Sequence, residues 1–218
     1  MLSEAEQSRI AAAIGEAEAA TSGEIFCVYE RRLDESGDNT RLLWSTAAAL
    51  LVPPLLAAAE LLVFDPWNAG LVAAWELLTV FLALQAGCFT LAFGLLSIPA
   101  VRRWATPRGV KRARAHKAAL QAFFTRGLHL TRERTGVLIF VVEEDHQIEI
   151  IADQGIYAKV KPELWGDAVA AIAEGLRRGQ AAEGFEAAIK LCGQVLAAHF
   201  PPHPDDTDEL PNRIVVVD

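Results

Sequence analysis

Two apolar stretches, residues 42–64 and 71–98, lie close together in mid-chain, and each is long enough to cross a bilayer as a helix. A hydrocarbon core about 30 Å thick needs roughly 20 helical residues. Inside it, backbone polar groups are satisfied only by a helix or a closed barrel. The expectation is therefore a two-helix transmembrane hairpin over residues 42–101. Its connector, Asp65-Pro66-Trp67-Asn68-Ala69-Gly70, combines turn formers with an interfacial Trp and holds no Lys or Arg. A buried hairpin in a soluble core is the rival reading, favoured by Pro53-Pro54, Glu60, Glu76 and Gln85, which suit lipid poorly. Core helices, however, rarely stay apolar past about 20 residues.

Cations near a span are retained on the cytoplasmic side. Arg102, Arg103, Arg108, Lys111, Arg112, Arg114 and Lys117 follow the second stretch without an intervening acid. Arg31, Arg32 and Arg41 precede the first, diluted by Asp34, Glu35 and Asp38. Both termini are thus expected in the cytoplasm, with the chain multi-pass in the inner membrane. No cleavable signal peptide is read at the start, where residues 1–20 are acidic with a helical pattern.

The chain has 218 residues, 52% of them apolar, and a net charge of -8, enough for one modest soluble domain beside the hairpin. The basic collar suits anionic lipid, and the acidic remainder suits a domain held away from it. Membrane lipid is the expected partner, a membrane-protein partner is compatible, and nucleic acid is not expected. Cys27, Cys88 and Cys192 are odd in number and widely spaced, so reduced structural thiols are expected rather than a disulfide framework or zinc site.

The soluble segments follow a clear order. Ser3-x-x-Glu6 is a capping-box start for a helix to about residue 20. Glu24-Ile25-Phe26-Cys27-Val28-Tyr29 reads as a strand. Thr106-Pro107 opens a long helix whose Leu120, Phe123, Phe124 and Leu128 suit packing on a sheet. The run Val137 to Val142 reads as a central strand covered on both faces. A turn at Glu143-Glu144-Asp145-His146 leads to a second strand from Gln147, so the pair reads as a β-hairpin. Helices near 163–178 and 182–200 follow, the second stopped by Pro201-Pro202, and an acidic tail occupies residues 201–218.

An isolated strand at Glu24 leaves both edges unpaired, and its partners arrive only after the apolar stretches. An even number of crossings returns the chain to the same side. The expected organisation is a split domain: residues 1–41 give the first helix and strand, 42–101 the inserted hairpin, 102–200 the basic helix and the rest of the domain, and 201–218 the tail. The fold class is α/β, a small mixed sheet sandwiched by helices.

Thr135-Gly136-Val137-Leu138-Ile139-Phe140-Val141, Glu149-Ile150-Ile151-Ala152-Asp153-Gln154-Gly155-Ile156, Trp165, Gly184-Phe185, His199-Phe200-Pro201 and Glu209-Leu210-Pro211 resemble the membrane-bound bacterial branch of the TPM domain family, the thylakoid lumen phosphatase-like family. The resemblance spans residues 106–211 best. It implies an α/β/α sandwich and, for the wider family, divalent-cation binding in some members and a proposed acid phosphatase activity.

Phosphoryl transfer needs a nucleophile or activated water, with cations or backbone amides to hold the phosphate. Cys27 lacks an Arg at cysteine-phosphatase spacing, and neither an Asp-x-Asp pair nor a Gly-rich P-loop occurs. Acids at strand ends remain: Glu143 and Asp145 in the turn, and Asp153 before Gly155. These three are the candidate metal ligands, with calcium or magnesium as the expected ion. Asp153 equally suits capping of the following turn. The catalytic residues and any substrate stay open. The function expected is a membrane-anchored cytoplasmic TPM-like domain with a binding or assembly role and divalent-cation dependence. A metal-dependent acid phosphatase is the alternative, and a small transporter component using Glu60 and Glu76 is a third reading.

Overall fold

The structure, a computed structural model, describes residues 2–33, 39–63, 74–203 and 209–217. It forms two compact units, one from residues 1–34 and 109–218 and the other from residues 35–108. Helix α1 (Glu4–Glu18) opens the first, its Ser3 hydroxyl and Glu6 carboxylate forming the reciprocal cap. Strand β1 (Glu24–Glu30) follows.

Three further strands join it in the order β3-β2-β1-β4: β2 (Gly136–Val142), β3 (Gln147–Ala152) and β4 (Ile214–Val217). β1 runs parallel to β2 from Glu24 opposite Gly136 to Glu30 opposite Val142, and β4 runs parallel along the other side of β1. β2 and β3 pair antiparallel. The N-terminal strand is therefore interior to the sheet. Every residue of β2 is buried, as a strand covered on both faces requires.

Period-two alternation sorts the strands between two cores. Ile25, Cys27, Tyr29, Val137, Ile139 and Val141 meet α1, α7 (Gly166–Arg178) and α8 (Ala181–His199). Phe26, Val28, Leu138, Phe140 and Val142 meet Ala115, Ala119 and Phe123 of α5 (Arg108–Thr125) and Leu128 beyond it. The result is an α/β/α sandwich. The short helix α6 (Gln154–Tyr157) follows β3.

Several sequence expectations change. Residues 214–217, read as the end of a tail, form β4, because the otherwise open side of β1 offers parallel partners to four apolar residues. The Thr106 hydroxyl bonds back to the Arg102 carbonyl at 2.8 Å and closes a separate helix, α4 (Pro99–Ala105), while α5 begins at Arg108. Phe124 is 58% exposed, since the buried stripe of α5 runs through Ala115, Ala119 and Phe123 and the next residue lies about 100° round the helix from it. The helix expected from 163 splits into a 3-10 turn at Pro162–Trp165 and then α7.

The second unit contains α2 (Thr40–Val63), which carries Pro53 and Pro54 internally, then α3 (Ala74–Leu95) packed against it, and α4. Arg41 donates to the Ser97 hydroxyl at 3.0 Å, and the Trp44 indole donates to the Ala105 carbonyl at 3.1 Å. Among the described residues one helix is long and apolar enough to cross a membrane: α3 holds Leu78–Leu95, of mean hydropathy 1.9, with none of that window buried. The apolar part of α2, Thr40–Leu56, is shorter. The connector read at 65–70 and the side chain of Glu60 lie outside what is described.

Cys27 and Cys192 are free and fully buried in the first core. Burial pushes both thiols up, Cys192 to about 12. The folded protein is therefore expected to leave both unreactive to an aromatic disulfide reagent near roughly pH 8, with labelling on unfolding. The sign of the pH effect follows: the unfolded thiols ionise first, so stability falls as pH rises from the unfolded value of 9.0 toward the folded one. Prompt labelling of Cys27 or Cys192 in the native state would contradict this packing.

Candidate functional site

Because β1 and β2 are parallel, their carboxyl ends coincide, the place where open α/β sheets gather ligands. Tyr29, Glu30 and Arg31 leave β1 there, and Glu143, Glu144 and Asp145 leave β2. The backbone is tied across the gap: Glu143 N–H donates to the Glu30 carbonyl at 2.9 Å, Glu144 N–H to that of Arg31 at 3.0 Å, and Arg31 N–H to that of Val217 at 2.9 Å. His146 turns the chain at φ 51.

The acids at this end already have partners. The Tyr29 hydroxyl donates to the Glu143 carboxylate, and burial first, then that carboxylate, raises the phenol's pKa. Glu144 lies 3.8 Å from Arg31. Asp145 lies 3.1 Å from the Lys111 ammonium on α5, both side chains largely covered. Burial also raises the pKa of Glu30, weakening its carboxylate as a charge.

Asp153 stands at the opposite end of the sheet. Its N–H donates to the Gly136 carbonyl at 2.9 Å, and its Oδ1 accepts from the Gln154 N–H at 2.7 Å, capping α6. Oδ2 faces Arg134 Nη1 at 3.8 Å. The register separates Val142↔Gln147 from Val137↔Ala152 by five residues, roughly 17 Å of strand.

Glu143, Asp145 and Asp153, read together as metal ligands, are thus not brought together. The reason is elementary: the turn of an antiparallel pair and the far end of its second strand are at opposite ends of the ladder. Among the described residues no group of three His, Cys, Asp or Glu side chains could hold a metal ion. The donor set does not fit a calcium or magnesium ion, which favours several convergent oxygens.

The two most distinctive sequence segments meet at the Asp153 end. A Cβ on Gly136 would stand 2.6 Å from the Leu128 carbonyl oxygen, and one on Gly155 would stand 2.6 Å from both the Glu133 and Arg134 carbonyl oxygens. Gly155 N–H donates to the Arg134 carbonyl at 3.1 Å, and Arg134 itself is left-handed at φ 56. The Thr-Gly and Ala-Asp-x-Gly signatures are here two halves of one close backbone crossing.

Sequence reasoning missed the partners of the acids. The sequence by itself shows Lys111 only as part of the basic collar and Tyr29 only as part of a strand. Tyr29 was findable, since alternation along β1 puts it on the face of Ile25 and Cys27. Nothing local pairs Lys111 with Asp145.

A family model described as the TPM domain matches residues 106–195, from the loop before α5 to within α8. The NMR structure of the BA42 protein from the psychrophilic bacterium Bizionia argentinensis sp. nov. is similar, with a TM-score of 0.59 at 22% sequence identity, covering 99% of this chain and 95% of that one. At that identity the likeness concerns the fold. No curated protein matches.

Proposed function

We propose that this chain, which carries a TPM domain over residues 106–195, is a multi-pass inner-membrane protein of the membrane-bound TPM branch. Its α/β unit sits in the cytoplasm and serves binding or assembly. The observation that carries the reading is Leu78–Leu95: eighteen residues of mean hydropathy 1.9, none buried. Leu78, Val80, Leu82 and Leu91 are each more than half exposed, an arrangement that water penalises and a bilayer does not. The cations at 102–117 supply the orientation. A binding role is favoured over a reaction because the acids at both ends of the sheet are engaged in ion pairs, hydrogen bonds and caps.

The test is fractionation followed by topology. The full chain is expected to stay with membranes washed in alkaline carbonate. With Cys27, Cys88 and Cys192 replaced by Ser, an Asn68→Cys variant in intact cells is expected to react with an impermeant thiol reagent, and cysteines placed near either terminus are not. Release into the carbonate wash would end the anchoring proposal, and the reverse labelling would end the orientation.

A further inference from the structure

α4 exposes apolar residues and covers charged ones. Trp104 is 89% exposed, Ile98 just before the helix is 50% exposed, and Pro99 and Ala100 are exposed as well. Ala100 and Trp104 stand four residues apart and share one face. Arg102 and Arg103, the two cations of the helix, are half-buried. Water favours the reverse arrangement.

The backbone around α4 is closed off in the same sense. The last four carbonyls of a helix have no intrahelical partner, and water commonly serves them. In α3 the protein supplies every donor. The Ala92 carbonyl accepts from Leu96 N–H at 2.9 Å and that of Phe93 from the Ser97 hydroxyl at 2.7 Å; those of Gly94 and Leu95 accept from the N–H groups of Ser97 and Ile98, each at 3.1 Å. In α4 the Arg102 carbonyl accepts both the N–H and the hydroxyl of Thr106, and the Ala105 carbonyl accepts the Trp44 indole N–H of α2 at 3.1 Å. The Arg41 guanidinium folds back over the Phe93 ring, 4.3 Å from its centroid. Internal donors are what a layer poor in water demands.

The same bonds give the direction of α4. Ser97 meets Arg41 and Ala105 meets Trp44. The path from 97 to 105 covers roughly 12 Å as helix, while 41 and 44 differ by only about 4.5 Å along α2. Ile98, extended at ψ 120, makes the corner. α4 therefore lies across α2 and not along it.

We propose that α4 lies in the plane of the cytoplasmic membrane surface, its Ala100 and Trp104 face sunk to the boundary between phospholipid headgroups and acyl chains. This rests on the membrane anchoring above and adds a third membrane element that does not cross. An indole suits that boundary, with an apolar ring and a polar N–H. A protein partner suits this face less well, since a stable interface needs about 800 Å² on each side and a helix of seven residues is only about 10 Å long.

The test uses the full chain reconstituted in vesicles of phosphatidylcholine and phosphatidylglycerol in equal parts. The emission lost in a Trp104→Phe variant isolates Trp104 among the five tryptophans. Phosphatidylcholine brominated near the top of its acyl chains is expected to quench that component about twofold more than lipid brominated near the chain ends, the order for burial of about 5–10 Å. Aqueous iodide should reach it poorly. Ala100→Asp, which sets a carboxylate on the lipid face, is expected to raise iodide quenching about twofold or more.

Quenching by iodide but not by brominated lipid overturns the proposal in favour of water, and shielding from both overturns it in favour of a protein partner or a second copy. Stronger quenching from the chain ends overturns the in-plane placement, as does indifference to Ala100→Asp. Retention in carbonate-washed membranes is read separately, so a retained chain whose Trp104 stands in water refutes this inference alone.

Discussion

Deletion of residues 2–33 is expected to remove cooperative unfolding from the α/β unit altogether. The comparison is best made in a background where residues 35–108 are replaced by a flexible linker, so that the unit is followed by itself in denaturant. The intact fusion should unfold in one transition; the truncated one should show none, together with increased dye binding to exposed apolar surface. The segment holds Ile10, Ile14, Ile25, Phe26, Cys27, Val28 and Tyr29, all buried. Each such side chain contributes about 1.5–3 kcal/mol on burial. Their sum is of the same size as the roughly 5–15 kcal/mol by which a whole domain is stable. The loss is also topological, because β1 lies between β2 and β4 and its absence separates them. A truncated unit as stable as the intact one would make the segment a dispensable tail.

The second large effect belongs to the glycines of the two signature segments. Gly155→Ala places a methyl 2.6 Å from two carbonyl oxygens, and Gly136→Ala places one 2.6 Å from a third. These contacts are with backbone, which cannot rotate away as a side chain could. Each substitution is expected to cost about 2–3 kcal/mol, lowering the melting temperature by roughly 8 °C. Asp153→Ala should cost less, about 1 kcal/mol, the usual loss for a helix cap. Calorimetry of the three variants in the same background checks the order. If Asp153→Ala proved the worst and both glycines were tolerated, the signature would owe its form to the carboxylate instead of the crossing.

The mixed sheet with covering helices was legible because its interior strands advertise themselves. Val137 to Val142 is continuously apolar between turn signals, and the strand at Glu24 could not stand unpaired. β4 was not legible. Four residues, Ile214-Val215-Val216-Val217, are too few for a periodic signal, and only the open side of β1 makes them a strand. The start of α5 was misread because Thr and Pro are good opening residues anywhere, and the Thr106 hydroxyl instead closes the helix before it. The grouping of Glu143 and Asp145 with Asp153 could have been avoided from the sequence itself. A β-hairpin from Val137 to Ala152 already places its turn and its last residue a full strand length apart. The pairing of Lys111 with Asp145 has no local signature, since it depends on how α5 lies across the sheet.

The order of the strands along the chain sets a timetable for biosynthesis. β1 ends at Glu30 and its first neighbour starts at Gly136, about a hundred residues later. At roughly 5–20 residues per second, the nascent β1 waits on the order of ten seconds before a ladder partner leaves the ribosome. β4 comes later still. During that interval an apolar five-residue run, Ile25 to Tyr29, has both edges bare. Ribosome-associated holdases should therefore cross-link to residues 24–30 in stalled chains ending before residue 142, and release them once β2 has emerged.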